Sequence, residues 1–282
     1  MTAATPHPFD AAVALDAHGH GATHPAWANM VGPFGGITAA TLLNAACSHP
    51  QRLGEPLALT VNYAGPVAEG PFRIEALPVR TTRTTQHWTL ALHQGGTVAT
   101  TGTAVFALRR DTWGADELAM PVVPPAAQVA VTPPPGRVVW PDRYEMRFVH
   151  GAWVPFRLDG ADGADDADAG TPATTSDESL TLAWVRDTPP RPLDALALTA
   201  LCDLFYPRIF RRRGRFTPAG TVSMTVHFHA GAADCAAQGT RPLLACARGL
   251  RFHQGFFDQR AELWSDGGQL LASSQQTVYY KA

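Results

Sequence analysis

Asp203 lies in the stretch LALTALCDLF, directly after the eight uncharged residues ALALTALC. A carboxylate at the end of a helix that a sheet would bury is costly unless it is paired, hydrogen-bonded or used. Desolvation raises its pKa toward the range in which it can take a proton or orient a water. The alternative is that the helix ends at Asp203 and the acid bonds the RIFRRRGR segment (Arg208 to Arg215) at the surface. That segment offers chemistry of its own, because arginines such as Arg211 and Arg212 can clamp phosphates through paired N–H donors. Its simpler reading is a solvated loop. In GPFGG (Gly32 to Gly36) the glycines lead into a helix start, where free N–H groups can polarise a carbonyl brought close to Gly35 and Gly36. The competing reading is a tight turn that needs positive φ.

Other constellations carry less. HGHGATH (His18 to His24) sets three histidines among glycines with no Cys or carboxylate to complete a ligand set, so neither a metal nor another cofactor is expected. His227 and His229 share one face of a strand and are expected on the outer surface of a sheet. The chain has no GxSxG elbow, no GxxxxGK[ST] loop and no GxGxxG fingerprint, which argues against an α/β-type serine hydrolase, a P-loop enzyme and a dinucleotide oxidoreductase.

The elements that would position these residues occur twice. LALTVNYAGPV (Leu57 to Val67) and SMTVHFHAGAA (Ser223 to Ala233) share Thr-Val-(Asn/His)-aromatic at an offset of 165, and VATTGTAVF (Val98 to Phe106) lies over LASSQQTVY (Leu271 to Tyr279) at an offset of 173. Each half has a helical run: GGITAATLLNAACSH (Gly35 to His49), with Ile37, Ala40, Leu43 and Ala46 on one stripe, and LDALALTALCDLF (Leu193 to Phe205). Alternating segments typical of antiparallel strands follow each run, and RYEMRFVHG and SLTLAWVRD precede the second. A repeat of this size suits a duplicated domain whose two copies pair edge to edge. The boundary between them is WGADELAMPVVPPAAQVAVTPPPG, whose six prolines favour an extended linker. The domains are therefore 1–112, a linker at 113–137, and 138–282, the last interrupted by an acidic Ala/Gly/Asp loop at about 159–178.

The 282 residues are 45% hydrophobic and 16% charged, with a formal charge of -2, which is ample for a core and unlike a nucleic-acid binder. Four cysteines without a CxxC pair read as buried reduced thiols. Neither a signal peptide nor a membrane-crossing apolar run is evident, so a soluble, cytoplasmic protein is expected.

GPFGG before the first helix, TVHFH in a strand and the closing AELWSDGGQLLASSQQ, in this order and spacing, resemble the double-hotdog acyl-CoA thioesterases of type II, the TesB-like group. The resemblance spans nearly the whole chain outside the linker and the acidic loop. It implies an α+β double hotdog, two tandem antiparallel sheets each wrapping one long helix. It also implies a role in fatty acid metabolism, hydrolysing acyl-CoA without a covalent intermediate. Carried over by motif, the residues that orient and activate water are Asp203 on the second-half helix, Thr221 at the start of a strand and Gln276 near the C-terminal strand. Gly35 and Gly36 are then the oxyanion candidates. The expected partner is acyl-CoA, with no nucleic acid or membrane, in a homodimer or higher homo-oligomer.

Read physically, Thr221 and Gln276 both carry groups that hold a water, and Gln276 shares a strand face with Ala272, Ser274 and Val278. At the offsets above, Pro56 stands for Thr221 and Thr103 for Gln276, and aligning Gly36 with Ala195 puts Asn44 in the place of Asp203. One competent set per chain follows. The rival reading is a non-catalytic acyl-CoA or acyl-chain binding protein. A hydratase is disfavoured by the absence of an Asp/His pair.

Overall fold

The computed structural model describes residues 5–136, 138–153 and 175–281. Most of the acidic loop expected at about 159–178 lies outside the described residues. The elements run in the order α1 (Pro8–Val13), β1 (His20–Ala22), α2 (Gly35–Cys47), β2 (Glu55–Tyr63), β3 (Pro71–Thr81), β4 (Thr85–Gln94) and β5 (Thr97–Ala107). The second half gives β6 (Tyr144–His150), β7 (Thr181–Asp187), α3 (Ala195–Leu201), α4 (Arg208–Arg213), β8 (Ala219–Phe228), α5 (Ala232–Gln238), β9 (Leu243–His253), β10 (Phe256–Trp264) and β11 (Leu270–Tyr280).

Instead of two tandem sheets, the strands form one antiparallel sheet of eleven, in the order β1-β3-β4-β5-β2-β8-β11-β10-β9-β7-β6. The order is the same in both halves once β7 is set against β1 and β8 against β2, with β6 as an added edge. The halves join where β2 pairs with β8, and Thr60 and Thr225, the same position of the repeated motif, stand opposite one another with hydroxyls 3.0 Å apart. The repeat is thus the seam: each copy supplies its TV(N/H)(Y/F) strand to the other, and neither leaves that edge open.

Ladder register corrects the internal alignment. Thr60 pairs with Thr103 and Thr225 with Gln275, so Gln276 corresponds to buried Ala104, one place from the Thr103 assigned by sequence offset. Both seam strands carry a bulge at the same place, since Leu57 and Val222 are each passed over by the pairing. The second bulge matters for the site. Met224, Val226 and Phe228 face the core by alternation, and the extra residue Val222 brings Thr221 round to that same face.

α2 is the long helix of the first half, thirteen residues, and it is buried from Gly36 to Leu43 on all sides because sheet, α1 and α3 surround it. Its expected single apolar stripe is therefore too narrow a description. α3 has only seven residues, capped at its start by the Asp194 carboxylate accepting from the Ala197 N–H at 2.8 Å. Among the described residues the second half accordingly has no long helix, and the run Leu193 to Phe205 is helical only in its middle. Gly36 lies where α2 meets α3: a Cβ there would stand 2.6 Å from the Ala200 carbonyl oxygen. RIFRRRGR is helix α4 with a left-handed Gly214 cap rather than a loop.

The Pro-rich linker packs as a strap. Met120, Val123, Ala126 and Val129 cover Trp184, Leu244, Cys246 and Trp264 on the outer face of the second half, and Trp184 Nε1 donates to the Pro124 carbonyl at 2.8 Å. The four cysteines are unpaired, and three are buried. Among the described residues, no helix is long and apolar enough to cross a membrane.

Candidate active site

α3 stops at Leu201, and Asp203 sits in the turn beyond it, so the acid is not a helical residue as expected. It does not pair with the arginines of α4 either. Gln276 Nε2, from β11, donates to Asp203 Oδ1 at 2.8 Å. The same amide group lies 3.3 Å from the Cys202 carbonyl oxygen, and its Oε1 accepts from Thr221 Oγ1 at 3.4 Å. An ionised carboxylate only accepts, so this contact fixes which end of the Gln276 amide faces Asp203. The structure thus brings Asp203, Gln276 and Thr221 into one chain of hydrogen bonds.

The first half completes the surroundings. Asp203 Oδ2 faces the start of α2, where a Cβ on Gly35 would come within 2.7 Å of it. Gly35 and Gly36 are absent from the positive-φ glycines of the chain, whereas Gly32 has φ 66. The two glycines are therefore required by close approach, of a carboxylate and of a helix, and not by turn geometry. Tyr63, at the end of β2, donates its hydroxyl to the Gly35 carbonyl at 2.9 Å.

Burial pushes the Asp203 pKa up to about 7, against hydrogen bonds from Gln276 and the Gly36 amide that favour the charged form. The Gly36 N–H is therefore engaged by Asp203 rather than left for a substrate oxygen. Burial, and secondly the Asp203 charge, raise Tyr63 well above its ordinary value, so its hydroxyl stays a donor. Asp203 keeps some exposed surface while its carboxylate is largely desolvated. A carboxylate that titrates near neutrality beside fixed amides can accept a proton from water.

Two participants escaped the sequence reading. Tyr63 occupies the motif position held by Phe228 in the second half, and that Tyr/Phe difference is its only signal. Gln259, 2% exposed and opposite Gln276 on β10, reaches Gln276 Oε1 at 3.5 Å. Arg211 and Arg212 are not brought to Asp203: Arg211 Nη2 lies 3.1 Å from His150 Nε2, and Arg212 lines a separate groove. Arg208 differs from its neighbours, being fully buried and donating to the Ser179 and Tyr206 carbonyls and to Thr181 Oγ1. Among the described residues, no three His, Cys, Asp or Glu side chains gather as a metal site, and His20 pairs with Asp16 at 3.1 Å. His227 and His229 are exposed on the sheet, with His229 bonded to Ser273 Oγ at 2.9 Å.

Residues 23–107 match the family model for the acyl-CoA thioesterase N-terminal domain, and residues 124–280 match that for the acyl-CoA thioesterase C-terminal domain. No match was found among curated proteins. Among solved structures, a conserved hotdog-fold protein of unknown function from Alicyclobacillus acidocaldarius is 47% identical, with 99% of both chains covered and a TM-score of 0.89. A putative thioesterase II from Thermobifida fusca shares the fold at 20% identity, with 97% of both chains covered and a TM-score of 0.75. A TesB protein from Mycobacterium avium subsp. paratuberculosis does so at 16% identity, covering 97% of this chain and 98% of that one, with a TM-score of 0.73. The chain belongs to the double-hotdog acyl-CoA thioesterase family.

Proposed function

We propose that the protein hydrolyses an acyl-CoA thioester to the free acid and CoA, with Asp203 as general base. Family membership supports thioester hydrolysis, and the observation that carries the residue assignment is the 2.8 Å bond from Gln276 to an Asp203 whose pKa stands near 7. Gln276 and Thr221 hold a water against Asp203. Its oxygen attacks the thioester carbonyl carbon while Asp203 takes a proton, and the carbonyl π electrons move onto oxygen. The Gly35 N–H at the start of α2 stabilises that oxyanion together with the helix dipole. Collapse of the tetrahedral intermediate breaks the carbon–sulfur bond, and the leaving thiolate recovers the proton from Asp203. No bond forms between enzyme and acyl group. The protein acts in the cytoplasm as a homodimer or larger homo-oligomer.

Thiol release from short, medium, long and aromatic acyl-CoAs tests the reading. Turnover of at least one class supports it. Tight acyl-CoA binding without any release would replace it by a binding protein.

A further inference from the structure

Away from Asp203, the end of the sheet at the β9–β10 hairpin carries exposed apolar side chains among arginines. Gln254 and Gly255 make the two-residue turn, both with positive φ, the twist that a tight hairpin prefers. Phe256, next to the turn, is 50% exposed, and Leu250 in the facing strand is 57% exposed. Phe256 stands opposite Tyr279 of β11, and Tyr279 stands opposite Gly220 of β8. A Cβ on Gly220 would come within 2.8 Å of the Tyr279 ring, so that ring lies over the glycine, at the surface beside Phe256. The core has no claim on these side chains, because the inner face of the same strands is filled by Phe257 and Val278, with Phe252 packed against them.

Positive charge surrounds them. The Tyr280 N–H donates to the Gly255 carbonyl at 2.7 Å and the Lys281 N–H to the Pro218 carbonyl at 2.8 Å, which gathers the hairpin, the end of β11 and the α4–β8 connection into one end of the molecule. That end holds Arg212, Arg213, Arg215, Arg248, Arg251 and Lys281 against Asp177, Glu178 and Asp258. Glu178 is turned to His150 Nε2 at 2.7 Å, and Asp258 Oδ1 accepts the Leu250 and Arg251 N–H groups at 3.3 and 2.8 Å. Among the described residues, no carboxylate lies within ion-pair distance of Arg212, Arg215, Arg248, Arg251 or Lys281. Cationic groups are thus gathered on a chain whose formal charge is -2. Arg212, Arg213, Arg248 and Arg251 line an open groove of about 840 Å³, where guanidinium groups can meet phosphate oxygens in pairs.

The two features together select one kind of partner. A soluble polyanion would pair the arginines and leave Leu250, Phe256 and Tyr279 in water. An apolar protein face would cover those side chains and leave the guanidinium groups without counter-charge. An anionic bilayer surface answers both, with headgroup phosphates around the arginines and the hairpin tip in the boundary region, where tyrosine is also favoured. Contact of this kind lies on the bilayer, so it needs no helix long enough to cross one.

We propose that this end of the molecule docks reversibly on an anionic lipid surface, with Leu250 and Phe256 entering the headgroup boundary. The proposal is independent of the hydrolase reading, and its test uses no turnover. Wild type is mixed with phosphatidylcholine vesicles, with and without about 30% phosphatidylserine, and the bound fraction is read by flotation. Partition onto the anionic vesicles is expected to be about 10-fold stronger or more. It should fall steeply between about 0.1 M and about 1 M salt, as the screening length shortens from about 10 Å to about 3 Å. Arg248→Glu/Arg251→Glu and, separately, Leu250→Ser/Phe256→Ser should each weaken it by about 10-fold or more without altering the melting temperature. No binding by wild type, equal binding to both vesicles, or either variant binding as wild type does would overturn the proposal. So would displacement by free O-phosphoserine at constant ionic strength, which would leave a phosphate pocket and no docked surface. A change of oligomeric state in Leu250→Ser/Phe256→Ser, seen by light scattering while wild type ignores vesicles, would make this face an interface between copies. If a variant fails to fold, the lipid and salt comparisons on wild type still decide.

Discussion

The carboxylate oxygen Oδ2 of Asp203 stands 2.7 Å from the point where a Cβ on Gly35 would be. The acid comes from the second half of the chain and the glycine from the first, so the two copies meet at the site as well as along the seam. Gly35→Ala has no room unless Asp203 or α2 moves. It is expected to lower kcat/KM by about 10-fold or more, and to destabilise by about 1–3 kcal/mol as overpacked sites do. Steady-state kinetics and a urea melt read both, and wild-type values for each would mean that the contact is not tight.

Gln276→Glu would set a second carboxylate beside Asp203, where the wild-type amide sits 2.8 Å away. Two acids that close share a proton, and one is forced well up. The pH at which activity reaches half its plateau is expected to rise by about 1 unit or more. Activity at pH 7 should fall while some returns at pH 9. An unshifted pH–rate profile would show that Gln276 is not coupled to the titrating group.

Tyr63 positions the start of α2 through its 2.9 Å bond to the Gly35 carbonyl. Tyr63→Phe copies the residue that the second half carries at this place, Phe228, and removes only the hydroxyl. One lost hydrogen bond of about 1 kcal/mol would appear as a several-fold fall in kcat with little change in KM or Tm. Equal losses in stability and rate would assign Tyr63 to packing alone.

Asp203 also affects stability with a definite sign. Its pKa is raised from 3.8 to about 7 by burial, so the folded state holds a proton that the unfolded chain has released between those values. Stability from this group is full below the unfolded pKa and is lost as pH rises through the folded one. Asp203→Asn removes that loss and should make the protein more stable at pH 8, by an amount on the order of 2–4 kcal/mol, with the gain shrinking toward pH 4. Buried Asp187, raised to about 7 chiefly by desolvation, titrates in the same window and keeps a residual trend in the variant. Melting temperatures across pH check this, and a variant less stable than wild type at pH 8 would contradict it.

Particular residues show what the sequence made legible. Asp203 stood out because a lone charge after eight uncharged residues has few inexpensive explanations, and the face of Gln276 followed from period-two alternation. Thr221 was beyond alternation, because the bulge at Val222 reverses the face expected for it. The length of α3 was misjudged since its apolar pattern runs on through Cys202 and Leu204, residues buried outside the helix. The repeated TV(N/H)(Y/F) motif disclosed the duplication, but only pairing in space showed that the two copies form a single sheet and that Tyr63 serves the other copy's acid. Charge alone could not separate Arg208, buried among carbonyls, from Arg212 at an open groove four residues later.

The most direct test of the central claim is thiol release by wild type and Asp203→Asn, side by side, at saturating acyl-CoA and pH 8. The amide keeps the shape and an acceptor for Gln276 but cannot take a proton from water. A fall in kcat of about 100-fold or more in a variant that melts no lower than wild type is the predicted result. Undiminished turnover would show that another group activates the water, and would remove Asp203 from the chemistry.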